Sequence, residues 1–280
     1  MRRVGSYDVE DPHKIQGRDE VAVSDRSLAA LRLRAALDAL AGARGRLLVL
    51  GCGAGRYVRA LERERPDLTL HGGDLSLTAL HEAAARDERG QYLALDASRL
   101  PYRDDVFGAV VFFDLLEHVP AYQAMLAEIA RVLAPGGVLH FFVPLEAEPG
   151  TLYTLLAGSE RLPIHRWKRD HVGHVNRFDA GSAIRAVWQA GLEVTDASFG
   201  FHLAGQVHDI VDYWNRERQL GGPGLLPRRA VGAVTRATFL ATWRLSYFED
   251  RLYAGRRFAS GLHLTAIKPG DPGKVKEDER

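Results

Sequence analysis

Short apolar runs alternate with segments of helical periodicity along this sequence, and that alternation restricts the chain to few folds. The run Arg46–Leu50 shows no polar alternation after its first residue, which is typical of a strand buried on both faces of a parallel sheet. Similar runs occur at Leu68–Gly72, Tyr92–Leu95, Ala109–Phe113, Val138–Val143, Leu192–Ala197 and Gly261–Ile267. Helices are predicted at residues 25–41, 57–64, 77–87, 121–133 and 178–190. This order predicts an α/β fold, a Rossmann-like open twisted sheet of about seven strands flanked by helices.

Two long segments interrupt the alternation, and long excursions from a compact sheet are more often functional than idle. Residues 145–177 are predicted to form a loop after the fifth strand. Residues 201–260 are predicted to form a helical insertion between the last two strands, broken into two helices at Gly221–Gly224. The expected organisation is a flexible arm or lid over 1–23, a main domain over 24–200 and 261–268, this insertion, and a disordered tail over 269–280.

Charge and cysteine content exclude several classes of protein. The 37 Lys and Arg residues nearly balance the 36 Asp and Glu residues, so no overall field favours nucleic acid or an anionic membrane. A single cysteine, Cys52, excludes an internal disulfide and a cysteine-rich metal cluster. No apolar run is long enough to span a bilayer, and no signal peptide is visible. We therefore expect a cytoplasmic protein without nucleic-acid partners and without membrane contact.

A glycine-rich turn, Gly51–Gly55, joins the first strand to the following helix. Its glycines allow a tight bend and a close approach of the backbone to a nucleotide, and the helix begins with backbone N–H groups that can bind a ligand. The dinucleotide fingerprint requires a small residue at its third position, where this chain has Arg56 or Val58. A nicotinamide-dependent oxidoreductase is therefore the weaker alternative, and the missing Gly-Lys-Ser/Thr sequence excludes a P-loop.

Two carboxylates follow neighbouring strands of the predicted sheet. Asp74 lies about 20 residues beyond the glycines, where a ribose-binding carboxylate belongs in such folds. Asp96 ends the third strand, where it could accept a hydrogen bond from an adenine amino group. Because open α/β sheets bind ligands at the carboxyl ends of their strands, these groups are predicted to meet in one nucleoside-binding cleft.

The segments LLVLGCGAG, GGDLS, LALDASRLPYRDDVFGAVV, DLLEHVP and LAPGGVLHFFVP resemble, in order and spacing, the class I S-adenosylmethionine-dependent methyltransferases. The resemblance covers about residues 46–198 and the terminal strand. It implies S-adenosylmethionine as cofactor, with the glycines beside its methionine part, Asp74 at the ribose, Asp96 and Ala97 at the adenine, and Phe113 near the sulfonium. The implied cofactor-binding residues are Gly51, Cys52, Gly53, Gly55, Asp74, Leu75, Asp96, Ala97 and Phe113. Val49 departs from the family, which usually has an acidic residue there, and leaves a non-catalytic cofactor-binding protein as an alternative.

Histidines are the candidate catalytic residues. Methyl transfer depends mainly on holding donor and acceptor in line, and a general base helps only when the acceptor carries a proton of high pKa. His118 follows the fourth strand, and His174 begins a segment that resembles the acceptor side of many small-molecule methyltransferases. His165 and His171 lie near His174, but no metal-ligand signature accompanies them, so no metal is expected. We expect a small, partly apolar acceptor, natural-product or lipid-like, with oxygen favoured over nitrogen or carbon.

The insertion is rich in aromatic and basic residues. Phe239, Trp243 and Tyr247 recur at four-residue spacing and therefore share one side of a helix. A stripe of arginines runs along the same segment, formed by Arg229, Arg236, Arg244 and Arg251. The insertion is interpreted as a helical cap on the sheet, and the alternatives are an acceptor pocket, a homodimer surface or a contact with anionic lipid.

Overall fold

The computed structural model describes residues 3–4, 7–8, 10–12, 15–87, 89–222, 224, 226–253 and 259–270. Its main sheet has seven strands, in the spatial order β3-β2-β1-β4-β5-β7-β6, and confirms the predicted fold class. The strands are β1 Arg46–Leu50, β2 Thr69–Asp74, β3 Gln91–Ala94, β4 Phe107–Phe113, β5 Leu133–Pro144, β6 Glu193–Gly200 and β7 Gly261–Ile267. Strand β7 runs antiparallel to both of its neighbours, whereas β1 to β5 are parallel. A separate antiparallel pair joins Arg3–Val4 to Tyr7–Asp8.

The helices are α1 Leu28–Ala39, α2 Arg56–Glu64, α3 Leu77–Ala84, α4 Tyr122–Val132, α5 Leu152–Leu155, α6 Ile164–Val172, α7 Ala180–Gln189, α8 Leu203–Gln219 and α9 Arg228–Tyr253. Helix α1 begins after Ser27, whose side chain accepts a hydrogen bond from the Ala30 N–H, so the predicted start at residue 25 was three residues early. None of the helices in the described part of the chain combines the length and the apolar character needed to cross a membrane.

Alternate residues of β1 enter two different hydrophobic cores. Leu47 and Val49 pack with α1, α2 and α3 on one face of the sheet. Leu48 and Leu50 pack with α4 and α7 on the other face. Both faces are therefore buried, which explains why the run Arg46–Leu50 is continuously apolar.

The segment predicted as a long loop, 145–177, contains two helices, so that prediction was wrong. Helix α6 carries only two buried apolar residues, Ile164 and Trp167, among charged ones, and this sparse pattern hid its periodicity. These side chains pack with Tyr153 of α5 and with Ile210 and Tyr213 of α8 in a small separate core. Packing against a distant helix, rather than local sequence, therefore stabilises this segment.

The sequence Pro135-Gly136-Gly137 is typical of a sharp turn, but it lies inside β5. Gly136 has a φ of +76°, and its N–H donates a hydrogen bond to the carbonyl of Lys268 just after β7. The pairing of β4 with β5 shifts register between Phe107 and Ala109, beside this point. The Pro-Gly-Gly sequence is therefore an irregularity within the strand. The strand continues there because the segment after β7 accepts the hydrogen bond of the Gly136 N–H.

In the described part of the insertion 201–260 there are two helices, α8 and α9. The three aromatic residues that share one side of α9 differ in burial and in contacts. Tyr247 of α9 is buried, Phe239 stacks on His208 of α8 at 3.8 Å, and Trp243 is 53% exposed. The carboxylate of Asp250 in α9 accepts hydrogen bonds from the N–H groups of Phe201 and His202 at the start of α8. The described residues 10–12 and 15–23 lie along α2 and α3, and the predicted tail lies outside the described residues from position 271 onward.

Candidate active site

The glycine turn bends at the carboxyl end of β1, where the backbone takes conformations that favour glycine. Gly51, Gly53 and Gly55 have φ values of +61°, +53° and +87°. A Cβ on Gly53 would lie 2.5 Å from the carbonyl oxygen of Gln16, which accepts a hydrogen bond from the Ala54 N–H. Glycine at position 53 is therefore required by the close approach of the N-terminal segment, which packs its backbone over the turn.

Asp74 lies at the end of β2, facing this turn. Its carboxylate accepts hydrogen bonds from the Gly53 N–H at 2.8 Å and the Ser76 N–H at 2.9 Å. Burial raises the pKa of Asp74, although these N–H groups act in the opposite direction. The carboxylate is thus held in one orientation at the carboxyl end of β2.

A cavity of about 840 Å³ opens at the carboxyl ends of the strands and brings most of the predicted site residues together. The predicted residues that line it are Gly51, Cys52, Gly53, Asp74, Leu75, Asp96, Ala97, Phe113, His118 and His174. Gly55 is not among the lining residues; a Cβ there would meet the guanidinium of Arg59 and the hydroxyl of Tyr92. Asp96 is exposed and binds the backbone N–H and the hydroxyl of Ser98, which fixes its side chain at the cavity edge.

Val49 lines the same cavity, so the acidic group that the family usually has at this position is missing. The next strand supplies charges close by. The Asp114 carboxylate, at the end of β4, accepts hydrogen bonds of 2.6 and 3.2 Å from the guanidinium of Arg32 in α1. The guanidinium in turn lies 3.9 Å from the ring centroid of Phe142. Both charged residues line the cavity, and neither was among the predicted site residues.

His118 and His174, which are far apart in sequence, meet at the other end of the cavity. Their rings contact each other edge to face, with centroids 4.7 Å apart. The backbone explains this meeting, because the carbonyl of Glu117 accepts hydrogen bonds from the N–H groups of Val175 and Asn176. The Asn176 side chain also donates to the carbonyls on either side of the turn, those of Leu116 and Val119. The segment after α6 is therefore fastened to the short 3-10 turn Leu116–His118.

Each of the two imidazoles has a fixed tautomer. Nδ1 of His118 lies 3.2 Å from the carbonyl oxygen of Gly173, and Nδ1 of His174 contacts the carboxylate of Glu146. Because both partners accept hydrogen bonds, Nδ1 carries a proton in each ring, and the neutral form of each ring has its lone pair on Nε2. Burial, together with the neighbouring His174, lowers the pKa of His118 to about 3.

The histidines of residues 165–174 contact two different carboxylates, because His165 and His174 share Glu146 whereas His171 contacts Glu217. His171 contacts Glu217 of α8 at 3.1 Å, whereas His165 lies 3.6 Å from the carboxylate of Glu146. The sequence-based expectation of no metal considered these residues and His174 as a group. The structure instead groups His174 with His118 and Glu117.

Comparisons with known proteins agree with this geometry. Residues 48–141 match the methyltransferase domain family. The malonyl-[acyl-carrier protein] O-methyltransferase of Alcanivorax borkumensis is 32% identical over 222 residues, which are 78% of this chain and 69% of that protein. The chain belongs to the class I S-adenosylmethionine-dependent methyltransferases. S-adenosylmethionine is accordingly the cofactor of this methyltransferase.

Other relatives of this methyltransferase match over a shorter length or at lower identity. The ubiquinone/menaquinone biosynthesis C-methyltransferase UbiE of Desulfotalea psychrophila is 38% identical over 95 residues, or 33% of this chain and 39% of that protein. The chain therefore spans less than half the length of this relative. The solved structure of Haemonchus contortus phosphoethanolamine N-methyltransferase 2 has a TM-score of 0.56 at 20% identity, covering 85% of this chain and 52% of that one. At that identity the likeness shows the fold alone.

The methyltransferase also buries a charged cluster that the sequence did not reveal. Lys168 of α6 is 4% exposed, and its Nζ lies 2.9 Å from Asp209 of α8 and 3.6 Å from Glu146. The hydroxyl of Tyr153 donates a hydrogen bond to the same carboxylate of Asp209. Burial alone would lower the pKa of Lys168, but Asp209 and the other surrounding groups raise it well above its ordinary value. In the sequence, this cluster was indicated only by the aromatic residues of α5 and α8, which surround the Lys168 side chain.

Proposed function

We propose that this methyltransferase methylates an oxygen atom of a small, partly apolar acceptor. The observation that carries the proposal is that His118 and His174 line the same cavity as the predicted cofactor residues around Asp74. The choice of oxygen as the acceptor atom is supported by the length of the sequence match. The O-methyltransferase relative matches 78% of this chain, including the acceptor side. The C-methyltransferase relative matches 33%, a length that fits the cofactor half alone.

The residues present fit the cofactor. The oriented carboxylate of Asp74 suits ribose hydroxyls, and the turn at Gly51 and Gly53 leaves no side chains between backbone and ligand. We infer that Arg32 and Asp114 replace the acidic residue missing at Val49. A guanidinium and a carboxylate side by side match the carboxylate and the ammonium of a methionine end.

His174 and Glu146 have defined roles in the proposed methyl transfer. The bound cofactor supplies an electrophilic methyl group on a sulfonium, and S-adenosylhomocysteine is the product that remains. His174 accepts a hydrogen bond from the acceptor hydroxyl at Nε2 and takes its proton as the new carbon–oxygen bond forms. Glu146, on the opposite ring nitrogen, holds the imidazole in the required tautomer and stabilises the positive charge that develops.

The acceptor end of the cavity combines aromatic and basic side chains. Its aromatic walls come from Tyr153, Phe201 and Tyr213, and its positive groups from Lys168 and Arg216. These residues belong to α5, α6, α8 and the segment before α8, so we assign the insertion 201–260 the role of an acceptor cap. Such a lining suits an acceptor with an apolar body and an oxygen-bearing, anionic end.

Two variants and one control test the proposal. Asp74→Ala is expected to weaken S-adenosylhomocysteine binding at least tenfold by calorimetry, because the carboxylate proposed to accept hydrogen bonds from the ribose is lost. His174→Ala is expected to keep that affinity and to lower turnover of an oxygen acceptor about 100-fold or more, the usual contribution of a general base. His171→Ala, on the same segment but paired with Glu217, should leave both properties unchanged.

The acceptor panel contains phenols, carboxylic acids, amines and activated carbon acids of similar size, with S-adenosylhomocysteine release as the readout. Methylation of amines or carbon acids alone would contradict the oxygen assignment. Cofactor binding without turnover of any compound would favour the non-catalytic alternative. Normal cofactor affinity in Asp74→Ala would refute the site assignment.

A further inference from the structure

Three potential ligand atoms converge beside the acceptor end of the cavity. They are a carboxylate oxygen of Glu117 and the Nε2 atoms of His118 and His174. Oε1 of Glu117 lies 3.7 Å from Nε2 of His118 and 3.9 Å from Nε2 of His174, and all three ligand atoms lie within 4.8 Å of one another. Around a metal with bonds of about 2.0–2.1 Å, tetrahedral ligand atoms are roughly 3.4 Å apart. Closing the set around one ion would therefore require the ligand atoms to approach one another by up to about 1.4 Å.

Both histidines make the second-nitrogen hydrogen bond that metal-binding histidines usually make. A ligating histidine usually donates its second ring N–H to a carbonyl or a carboxylate, which fixes the ring and increases its basicity. His118 has the carbonyl of Gly173 in this position, and His174 has the carboxylate of Glu146. The Nε2 atoms of both rings lie within 4 Å of Oε1 of Glu117, and the backbone bonds between Glu117 and residues 175–176 hold the two segments together.

Glu117 provides a second and independent observation. Its side chain is 1% exposed, and neither carboxylate oxygen has a hydrogen-bond partner among the described residues. A buried carboxylate without a donor is strongly unfavourable, because the charge loses its hydration and gains no compensating contact. The nearest buried cation, Lys168, is already shared between Asp209 and Glu146. A cation bound between Glu117 and the two imidazoles would compensate the carboxylate directly.

We propose that Glu117, His118 and His174 bind a divalent transition-metal ion, and that its remaining coordination position faces the acceptor. Two imidazoles and one carboxylate suit Zn²⁺ and its neighbours better than Mg²⁺ or Ca²⁺, which prefer all-oxygen sets. Zn²⁺ bound by two histidines and a glutamate with one open position is a known catalytic arrangement. This proposal revises the expectation of no metal, which had considered the loop histidines and not Glu117.

The site deepens the proposed function and rests on it for the identity of the acceptor group. An acceptor oxygen on the open position would be fixed near the cofactor, and the metal would lower the pKa of its hydroxyl. With the ion bound, the hydroxyl proton passes to water and His174 is a ligand; the role of general base proposed above applies to the metal-free enzyme. An imidazole that binds the ion through Nε2 cannot also take a proton at that atom, so the histidines bind the ion in this state.

Cobalt binding to the full chain tests the proposal without any acceptor. Chelator-treated protein is titrated with Co²⁺, whose visible absorption reports coordination by imidazole nitrogen, and Zn²⁺ is then added as a competitor. The wild type is expected to bind one equivalent of Co²⁺ and to release it to Zn²⁺. His118→Ala and His174→Ala should each weaken binding at least tenfold, and His171→Ala should bind as the wild type does.

Glu117→Gln separates a ligand from a structural residue. The amide keeps the shape of the side chain but removes its charge, so the metal-free variant should melt at or above the temperature of the metal-free wild type. Added Zn²⁺ should raise the melting temperature of the wild type and not that of the variant. A positioning role for Glu146 predicts weaker Co²⁺ binding in Glu146→Gln, by about 10- to 100-fold.

Absence of stoichiometric Co²⁺ binding in a folded wild type would overturn the proposal. The same holds if the two histidine variants and Glu117→Gln bind Co²⁺ with wild-type affinity. Cofactor affinity, measured separately by calorimetry, distinguishes this failure from failure of the proposed function. A protein that binds Co²⁺ as expected but methylates no oxygen acceptor would keep the metal site and lose the oxygen assignment.

Discussion

Replacing Lys168 by methionine should destabilise the protein far more than any surface change on the same helix. The ammonium is buried between Asp209, at 2.9 Å, and Glu146, at 3.6 Å. Methionine keeps the length and apolar stem of the side chain but leaves Glu146, which is 2% exposed, without its buried cation. Removing one partner of a buried ion pair costs about 3–5 kcal/mol. Two carboxylates lose their partner here, so we expect a loss in the upper part of that range.

The adjacent residue offers a matched control. Arg169 lies on the same turn of α6, but its side chain is 61% exposed and its partner Asp170 is also exposed. Exposed pairs contribute about 0–1 kcal/mol, so Arg169→Met should unfold at nearly the wild-type urea concentration. Free energies of unfolding from urea titrations of metal-free protein, compared at equal slopes, measure both effects.

A double variant tests the cause. Lys168→Met combined with Asp209→Asn removes a charge that the single change leaves uncompensated, and should recover part of the lost free energy of unfolding. A loss below about 1 kcal/mol for Lys168→Met, or a loss equal to that of Arg169→Met, would refute the account of the cluster. An additive double variant would show that Asp209 and Lys168 do not interact.

Two further predictions concern acid stability and the glycine turn. Burial lowers the pKa of His140 to about 4 and that of His263 well below its ordinary value, so the unfolded chain binds protons first as the pH falls. The free energy of unfolding should therefore decrease as the pH falls from about 6.5 to 4, by roughly 3 kcal/mol for His140. His140→Gln should reduce this pH dependence, as measured by urea titrations at each pH. An unchanged pH dependence in the variant would contradict the buried, neutral state of His140. Gly53→Ala would place a Cβ 2.5 Å from the Gln16 carbonyl at a φ of +53°, and should weaken S-adenosylhomocysteine binding at least tenfold in calorimetry. Gly42→Ala, where a Cβ has open space and φ is not positive, should bind normally, and equal affinities in the two variants would show that the turn tolerates displacement of the N-terminal segment.

Local sequence patterns were sufficient for the sheet and for the cofactor end of the cavity. Leu47 to Leu50 are apolar in succession because adjacent side chains of β1 enter two different cores. Asp74 follows β2 and lines the cavity with Asp96, because parallel strands bring their carboxyl ends to one edge. Each of these features depends on strand periodicity and on chain direction, which short stretches of sequence express.

The acceptor end depends on contacts between residues that are far apart in the chain. Asp114 meets Arg32 across 82 positions, and the imidazole of His174 meets the turn at Glu117 and His118 only after α6 has formed against α8. Helix α6 lacks a strong apolar repeat, because its buried surface includes Lys168, whose charge is tolerated only beside Asp209. Periodicity encodes which face of an element is buried, whereas the pairing of buried charges depends on which elements pack together. For that reason the strands and the meeting of Asp74 and Asp96 at one cavity were predictable, and the charged cluster and the candidate metal site required the folded chain.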